Sequence, residues 1–216
     1  MSREAILGAV RRGLKRGALS EGERAMLAAR VARRIVPARG QLELAGRVAL
    51  FAEYVEREFG TVAQVAGLGD VAGAIADYLK GQGLPPALAV SPHPLLLGLN
   101  FGGLAVRFGT ALPSDAVCLT EAFAGIAETG TLMLPSGPMR PTSNNLLPDN
   151  ALVLVRAERI LASYEDAFDL LRAEGAMPRN VMLITGPSRS ADIEQTLELG
   201  AHGPRRLHVL IVHGAA

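Results

Sequence analysis

Residues 61–90 read TVAQVAGLGDVAGAIADYLKGQGLPPALAV, and short β-rich runs alternate with a helical pattern in them. The runs Thr61–Val65 and Ala87–Val90 are predicted strands, and the segment near Asp70–Lys80 between them is a predicted helix. A strand, a helix and a second strand in this order indicate two parallel strands joined by a crossover helix.

The same alternation continues toward the end of the chain. Further strands are predicted at 105–108, 116–119, 131–134, 151–155, 181–185 and 207–212, and helices at 163–172 and around 191–199. This pattern predicts an α/β fold with a Rossmann-like, mostly parallel sheet that has helices on both faces. The closer spacing between residues 105 and 134 predicts an antiparallel or irregular insertion.

The beginning of the chain has a different character. Residues 1–44 are predicted to form a basic helical segment, and residues 45–216 the α/β domain. Ser20 and Glu23 have the spacing of a capping box, which opens a helix expected to reach about Val36. Residues 1–40 carry a net charge of +7, from ten basic and three acidic side chains; the other 176 residues carry −6, from 12 basic and 18 acidic. This asymmetry favours docking on a partner or on the acidic body over binding to nucleic acid.

Composition excludes several classes of protein. The single cysteine, Cys118, excludes a disulfide framework and an iron–sulfur cluster held by this chain alone. The four histidines have no metal-ligand spacing, so no metal site is predicted. Aromatic residues make up 4% and tryptophan is absent, which argues against a stacking platform for single-stranded nucleic acid. No signal peptide or membrane-spanning run is visible, and a cytoplasmic protein is expected.

The segment 186–194, GPSRSADIE, is the first candidate site because it follows a predicted strand. Gly186 shapes a turn, Ser188 and Ser190 offer hydroxyls, and Arg189 offers a guanidinium that can bind a carboxylate or phosphate. With Asp192 they form the predicted ligand-binding set of this segment. The alternative is a simple helix cap made by Ser190.

The segment 127–131, AETGT, is the second candidate. Glu128 lies between apolar runs, where a carboxylate facing a cleft is suited to proton transfer or nucleophilic attack. Thr129, Gly130 and Thr131 are predicted to contact the ligand. The alternative is a structural Glu128 that accepts backbone amides at a bend, with Gly130 present for its backbone freedom.

Two further loops carry polar groups. His202, in GAHGP at 200–204, is a candidate general base or else a polar turn residue. Arg140 and Asn144, in GPMRPTSNN at 137–145, are candidate ligand contacts, unless that loop is only a linker.

Four of these segments, in this order, resemble the LUD-domain family: AETGT at 127–131, LPDN at 147–150, ITGPSRSADIE at 184–194 and GAHGP at 200–204. The resemblance covers roughly residues 45–213, and 186–194 is its specific part. It implies a fold similar to the NagB/RpiA/CoA-transferase-like group. It also implies participation in the oxidation of L-lactate to pyruvate beside iron–sulfur partner proteins. Because this chain has one cysteine, the clusters are expected on those partners, and no cofactor is predicted on this chain.

Two functions remain open at this point. The first is an accessory subunit of a lactate-oxidising complex that binds a small carboxylate or phosphate, or organises its partners. The second is a stand-alone enzyme, CoA-transferase-like or of sugar-phosphate type, that uses Glu128. In either case we expect Ser188, Arg189, Ser190 and nearby helix amides to bind the anion, with Glu128 and His202 across the same cleft.

Overall fold

The computed structural model describes residues 2–15, 17–32, 36–190 and 198–214. The chain divides into two compact units, Met1–Val36 and Pro37–Ala216. The boundary expected after residue 44 stays a prediction.

The first unit contains α1 (Arg3–Gly13) and α2 (Glu21–Ala32). The predicted capping box is confirmed: the Glu23 carboxylate accepts the Ser20 amide at 2.7 Å, and the Ser20 hydroxyl accepts the Glu23 amide at 3.2 Å. These two bonds satisfy backbone donors that the first turn of a helix leaves open. The last part of the helix predicted to reach Val36 falls on residues 33–35, outside the described residues.

The second unit alternates strands with helices. Its helices are α3 (Leu44–Arg57), α4 (Val71–Gly81), α5 (Pro94–Leu97) and α6 (Tyr164–Ala173). Its first six strands are β1 (Thr61–Val65), β2 (Ala87–Val90), β3 (Ala105–Phe108), β4 (Val117–Glu121), β5 (Ala124–Ile126) and β6 (Thr131–Pro135). The others are β7 (Asn150–Arg156), β8 (Ile160–Leu161), β9 (Val181–Ile184), β10 (Arg189–Ser190), β11 (Glu198–Leu199) and β12 (Arg206–Val212).

Six strands form a parallel sheet in the order β1-β12-β7-β4-β2-β3. Side chains alternate between its faces, as strand geometry requires. In β7, Val153 and Val155 pack with α3 on one face, whereas Leu152 and Leu154 pack with α4 on the other. The predicted α/β fold, with a Rossmann-like parallel sheet between helices, is confirmed.

A second sheet, in the order β8-β5-β6-β9, lies on the face that carries α3. Leu132 and Leu134 of β6 join the core beneath α3, while Met133 points to the opposite side and packs with Leu171 of α6. The predicted insertion therefore exists, but it begins after β4, because β3 and β4 belong to the parallel sheet.

Two predictions near the end of the chain need correction. The strand predicted at 181–185 is not one of the parallel strands: β9 is a partly exposed edge strand, antiparallel to β6. The loop from Gly186 is thus not at the carboxyl end of a parallel strand. Of the helix predicted at 191–199, residues 191–197 lie outside the described residues. Glu198–Leu199 is instead a strand, antiparallel to Arg189–Ser190.

Each helix within the described ranges is too short or too polar to cross a lipid bilayer. Among the same residues, no three His, Cys, Asp or Glu side chains form a group that could hold a metal ion. Cys118 is fully buried in β4, and burial raises the pKa of its thiol to about 12.

Candidate functional site

The parallel sheet has a topological switch point between β2 and β4. The chain leaves β2 for β3 on one side and leaves β4, by way of the second sheet, for β7 on the other. In open α/β sheets, ligands bind in the crevice outside the carboxyl ends of the strands at such a point. The carboxyl ends here are Val90 and Glu121.

Three charged or titratable side chains meet at this edge. Glu121 ends β4, His93 lies three residues beyond β2, and Arg140 comes from the loop that follows β6. The Arg140 Nε and Nη2 atoms donate to Glu121 Oε2 at 3.0 and 2.8 Å, and Nη2 also lies 3.1 Å from His93 Nε2. The Glu121 side chain is 9% exposed and that of Arg140 is 29% exposed. A buried carboxylate thus holds a guanidinium that still reaches solvent.

The contact with Arg140 favours the neutral form of His93. A guanidinium can only donate hydrogen bonds, so Nε2 of His93 accepts, and the proton of the neutral ring is on Nδ1. Burial lowers the pKa of His93, and this effect exceeds the opposing one of Glu121. The Nδ1 atom is buried and has no hydrogen-bond partner among the described residues.

Asn144 ties the same loop to the sheet. Its Nδ2 atom donates to Ser91 Oγ and to the Gly109 carbonyl, both at 2.9 Å, and its Oδ1 accepts the Ala111 amide at 2.6 Å. Asn144 is fully buried. Its amide is committed inside the protein, so it positions the loop and has little capacity left for a ligand.

Glu128 lies elsewhere, near the beginning of α6. Its side chain is buried, and Oε1 accepts the Tyr164 amide at 3.1 Å. Oε2 is buried without a hydrogen-bond partner among the described residues. Gly40 packs against this segment: a Cβ atom there would be 2.1 Å from the Ala162 carbonyl oxygen and 3.3 Å from Glu128 Cβ. Glu128 therefore accepts a backbone amide and keeps one unused oxygen.

A chain of hydroxyl groups follows Glu128. Thr131 Oγ1 lies 2.7 Å from the Thr129 hydroxyl, 2.8 Å from the Tyr164 hydroxyl and 2.6 Å from the Thr185 hydroxyl. Thr131 itself is fully buried, so these contacts take the place of water around it. The chain joins the segment of Glu128 to the segment that precedes Gly186.

Gly130 and Gly186 both press against the end of α3. Their φ angles are +66° and +81°, a conformation that favours glycine. A Cβ atom on Gly130 would lie 2.7 Å from the Val55 amide nitrogen, and one on Gly186 would lie 2.3 Å from the Glu58 carbonyl oxygen. Both glycines are thus required by close packing of backbone against backbone.

A hollow of about 230 Å³ is lined in part by predicted site residues from the segments 186–194 and 200–204. Its wall includes Gly186, Ser188, His202 and the buried Asn145. Ser188 Oγ accepts the His202 amide at 3.3 Å, and the Ser188 amide donates to Pro204 just before β12. Arg189 turns to Phe59 instead, with its guanidinium carbon 3.3 Å from the ring centroid.

The predicted site residues therefore fall into three places. Arg140 and Asn144 lie at the carboxyl edge of the parallel sheet. Glu128, Thr129, Gly130 and Thr131 lie between α3 and α6, and Gly186, Ser188 and His202 line the hollow. Thr185 links the second place to the third through Thr131. No hydrogen bond within the described ranges joins Glu128, Arg189 and His202. The hydroxyl of Ser190 and all of Asp192 lie outside what the structure describes.

Glu121 and His93 lie outside the segments predicted to form the site. The strand predicted at 116–119 ends two residues before Glu121, which is the last residue of β4. A carboxylate directly after a buried apolar run was nevertheless a usable signal, since side chains at the carboxyl ends of parallel strands often face ligands.

Comparison with known proteins agrees with this fold. The family described as LUD domain matches residues 111–212. An uncharacterized protein of Neisseria meningitidis serogroup B is 44% identical over 89 residues, which are 41% of this chain and 38% of that protein. Proteins named lactate utilization protein C are 37% identical over 91 residues in Bacillus subtilis (40% of this chain, 38% of that protein) and 33% identical over 100 residues in Deinococcus radiodurans (46% and 47%). The matches thus span less than half the length of these relatives.

A solved structure has the same fold. The crystal structure of a DUF162 family protein from Deinococcus radiodurans superposes with a TM-score of 0.61. The superposition covers 79% of this chain and 99% of that one. Its sequence identity is 23%, so the likeness concerns the fold alone.

Proposed function

Residues 111–212 match the LUD-domain family, and from that similarity we propose that the chain takes part in L-lactate utilization as a cytoplasmic accessory subunit beside iron–sulfur partners. The observation that carries the proposal is the similarity to proteins named lactate utilization protein C, at 33–37% identity. Within such a complex, this chain's part is to bind a small carboxylate or to organise its partners.

The cysteine content of this chain supports the assignment of the iron–sulfur clusters to partner proteins. Iron–sulfur clusters require several thiolate ligands, and this chain has one cysteine, which is buried in β4. Burial holds the pKa of that thiol at about 12, so it stays protonated at neutral pH. Oxidation of lactate releases two electrons, and we assign their acceptor to a partner.

The test is purification of the full-length tagged chain, without oxygen, from its source organism grown on L-lactate. We expect copurified proteins that contain iron and acid-labile sulfide, with oxidation of L-lactate to pyruvate when an artificial electron acceptor is added. A strain without this chain should lose growth on L-lactate and keep growth on pyruvate. Normal growth of that strain on L-lactate would reject the proposal.

The second candidate is a CoA-transferase-like or sugar-phosphate enzyme, and the unpartnered Oε2 of Glu128 favours it. In the transferase reaction, the Glu128 carboxylate would attack the thioester carbonyl, form a mixed anhydride and release the CoA thiolate. The burial of Glu128, which is 3% exposed, opposes this role, because a nucleophile must be reached by its substrate. Intact mass after incubation with acetyl-CoA tests it: an acyl adduct in the wild type that Glu128→Gln abolishes would favour the enzyme.

A further inference from the structure

We propose that Arg140 anchors a small monocarboxylate at the carboxyl edge of the parallel sheet, and that Glu121 and His93 are positioning residues for its guanidinium. The inference rests on the proposed function for its choice of L-lactate and pyruvate as probes. It adds a site, at a place in the fold distinct from Glu128 and from the hollow beside Ser188.

Arg140 lies where open α/β sheets bind their ligands. Arg140 meets Glu121 where β4 ends and His93 just after β2 ends, beside the switch point of the sheet. The chain departs in opposite directions from β2 and β4, and in open α/β sheets ligands bind at such a point. Arg140 is the cationic member of this cluster, and the bonds of Asn144 hold its loop against the sheet.

Both the backbone and the guanidinium of Arg140 are held by hydrogen bonds. Its backbone closes a tight turn with Gly137, through amide-to-carbonyl bonds of 3.0 and 3.2 Å. Its guanidinium is held by Glu121 through Nε and Nη2, and by His93 through Nη2. A group that is already fixed loses little conformational entropy when it binds a ligand.

One nitrogen of the Arg140 guanidinium, Nη1, is available to a ligand. Nη1 of Arg140 has no hydrogen-bond partner among the described residues, and the side chain is 29% exposed. Its two N–H groups are suited to carboxylate or phosphate oxygens. Glu121 balances the charge of Arg140, so the pair offers little net charge to a ligand. The desolvation cost of an anion rises with the square of its charge, whereas its attraction to one guanidinium rises only linearly, which favours a monocarboxylate over a phosphate dianion.

The competing explanation is that Arg140 only pins its loop to the sheet. In that case, loss of the guanidinium would lower stability without any ligand effect. The two explanations are separated by measuring binding and thermal unfolding on the same variants.

The experiment titrates the full-length chain by calorimetry with L-lactate, pyruvate, uncharged lactamide and inorganic phosphate. We expect L-lactate or pyruvate to bind, lactamide to fail, and phosphate to bind more weakly. Arg140→Gln should weaken carboxylate binding at least tenfold, and Arg140→Lys should restore part of it. Glu121→Gln should weaken binding less than Arg140→Gln, because it frees the guanidinium without removing it.

The matched control is Arg159→Gln, which removes a partly exposed guanidinium paired with Glu174 at 2.9 Å. It should leave carboxylate affinity unchanged. The site is rejected if Arg140→Gln binds like the wild type, if the wild type binds neither carboxylate, or if phosphate binds more tightly than both. Arg140-dependent binding by a chain that copurifies with no iron–sulfur protein would keep this site and reject the proposed function.

Discussion

The hydroxyl oxygens of Thr131 and Thr185 lie 2.6 Å apart, and this contact joins β6 to the residue that follows β9. Thr131 also contacts the hydroxyls of Thr129 and Tyr164, so one buried oxygen connects three segments of the chain. Thr185 is exposed and can exchange its contact for water.

Replacement of this central hydroxyl should therefore be costly. Thr131→Val keeps the side-chain shape and removes all three contacts, so we expect a loss of about 2 kcal/mol in the free energy of unfolding. Thr185→Val removes one contact at an exposed site and should cost less than about 1 kcal/mol. Urea denaturation measures both, and equal losses would contradict the central role of Thr131.

A methyl group on Gly130 should destabilise the protein more than one on Gly83. The φ angles of the two glycines are +66° and +65°, but a Cβ atom on Gly130 meets the backbone of α3, whereas one on Gly83 meets open space. We expect Gly83→Ala to cost about 1 kcal/mol from backbone strain, and Gly130→Ala about 3 kcal/mol from strain and overpacking together. If denaturation midpoints fall equally in both variants, the close approach to α3 is not what requires Gly130.

Buried His208 should make the protein less stable in mild acid. Burial lowers the pKa of this residue from 6.5 to about 4, and its Nδ1 lies 2.8 Å from the Thr61 hydroxyl. Between these pH values the unfolded chain binds a proton that the folded chain does not. Stability is therefore complete above pH 6.5 and falls as the pH drops toward 4, by roughly 2 kcal/mol between pH 7 and pH 5.

The measurement is the free energy of unfolding at both pH values for the wild type and His208→Gln. The variant should lose most of this difference, whatever its absolute stability. The exposed His202 provides the control, because His202→Gln should retain the wild-type difference. An unchanged pH dependence in His208→Gln would show that other groups cause it.

The thiol of Cys118 should be unreactive in the folded protein. It is fully buried in β4, and burial raises its pKa to about 12, so very little thiolate exists at pH 8. We expect no reaction with Ellman's reagent under native conditions and one equivalent in guanidinium chloride. Rapid stoichiometric labelling of the native protein would contradict the placement of Cys118.

The parallel sheet could be predicted because its central strands are short apolar runs that can be recognised in the sequence. Residues 151–155 are apolar on both faces, as a central parallel strand must be, and the observed strand Asn150–Arg156 extends this predicted run by one residue at each end. The run at 181–185 looks similar in sequence but forms an edge strand. An apolar run does not say which sheet it joins or how many neighbours it has.

The candidate sites were harder to predict, since their partners are distant in sequence. Arg140 contacts Glu121 across 19 positions and His93 across 47. No local spacing connects such residues, and only the order of strands in the sheet brings them to one edge. The contact of the Arg189 guanidinium with the Phe59 ring also joins distant segments, and the anion site predicted at Arg189 stays a prediction.

The turns at Gly130 and Gly186 pack closely against the backbone at the end of α3, near Val55 and Glu58. Insertion of one residue in that last turn would rotate everything beyond it by about 100°. Both turns would then lose their packing contacts with α3 at the same time. Length variation among natural relatives should consequently avoid this turn and accumulate elsewhere.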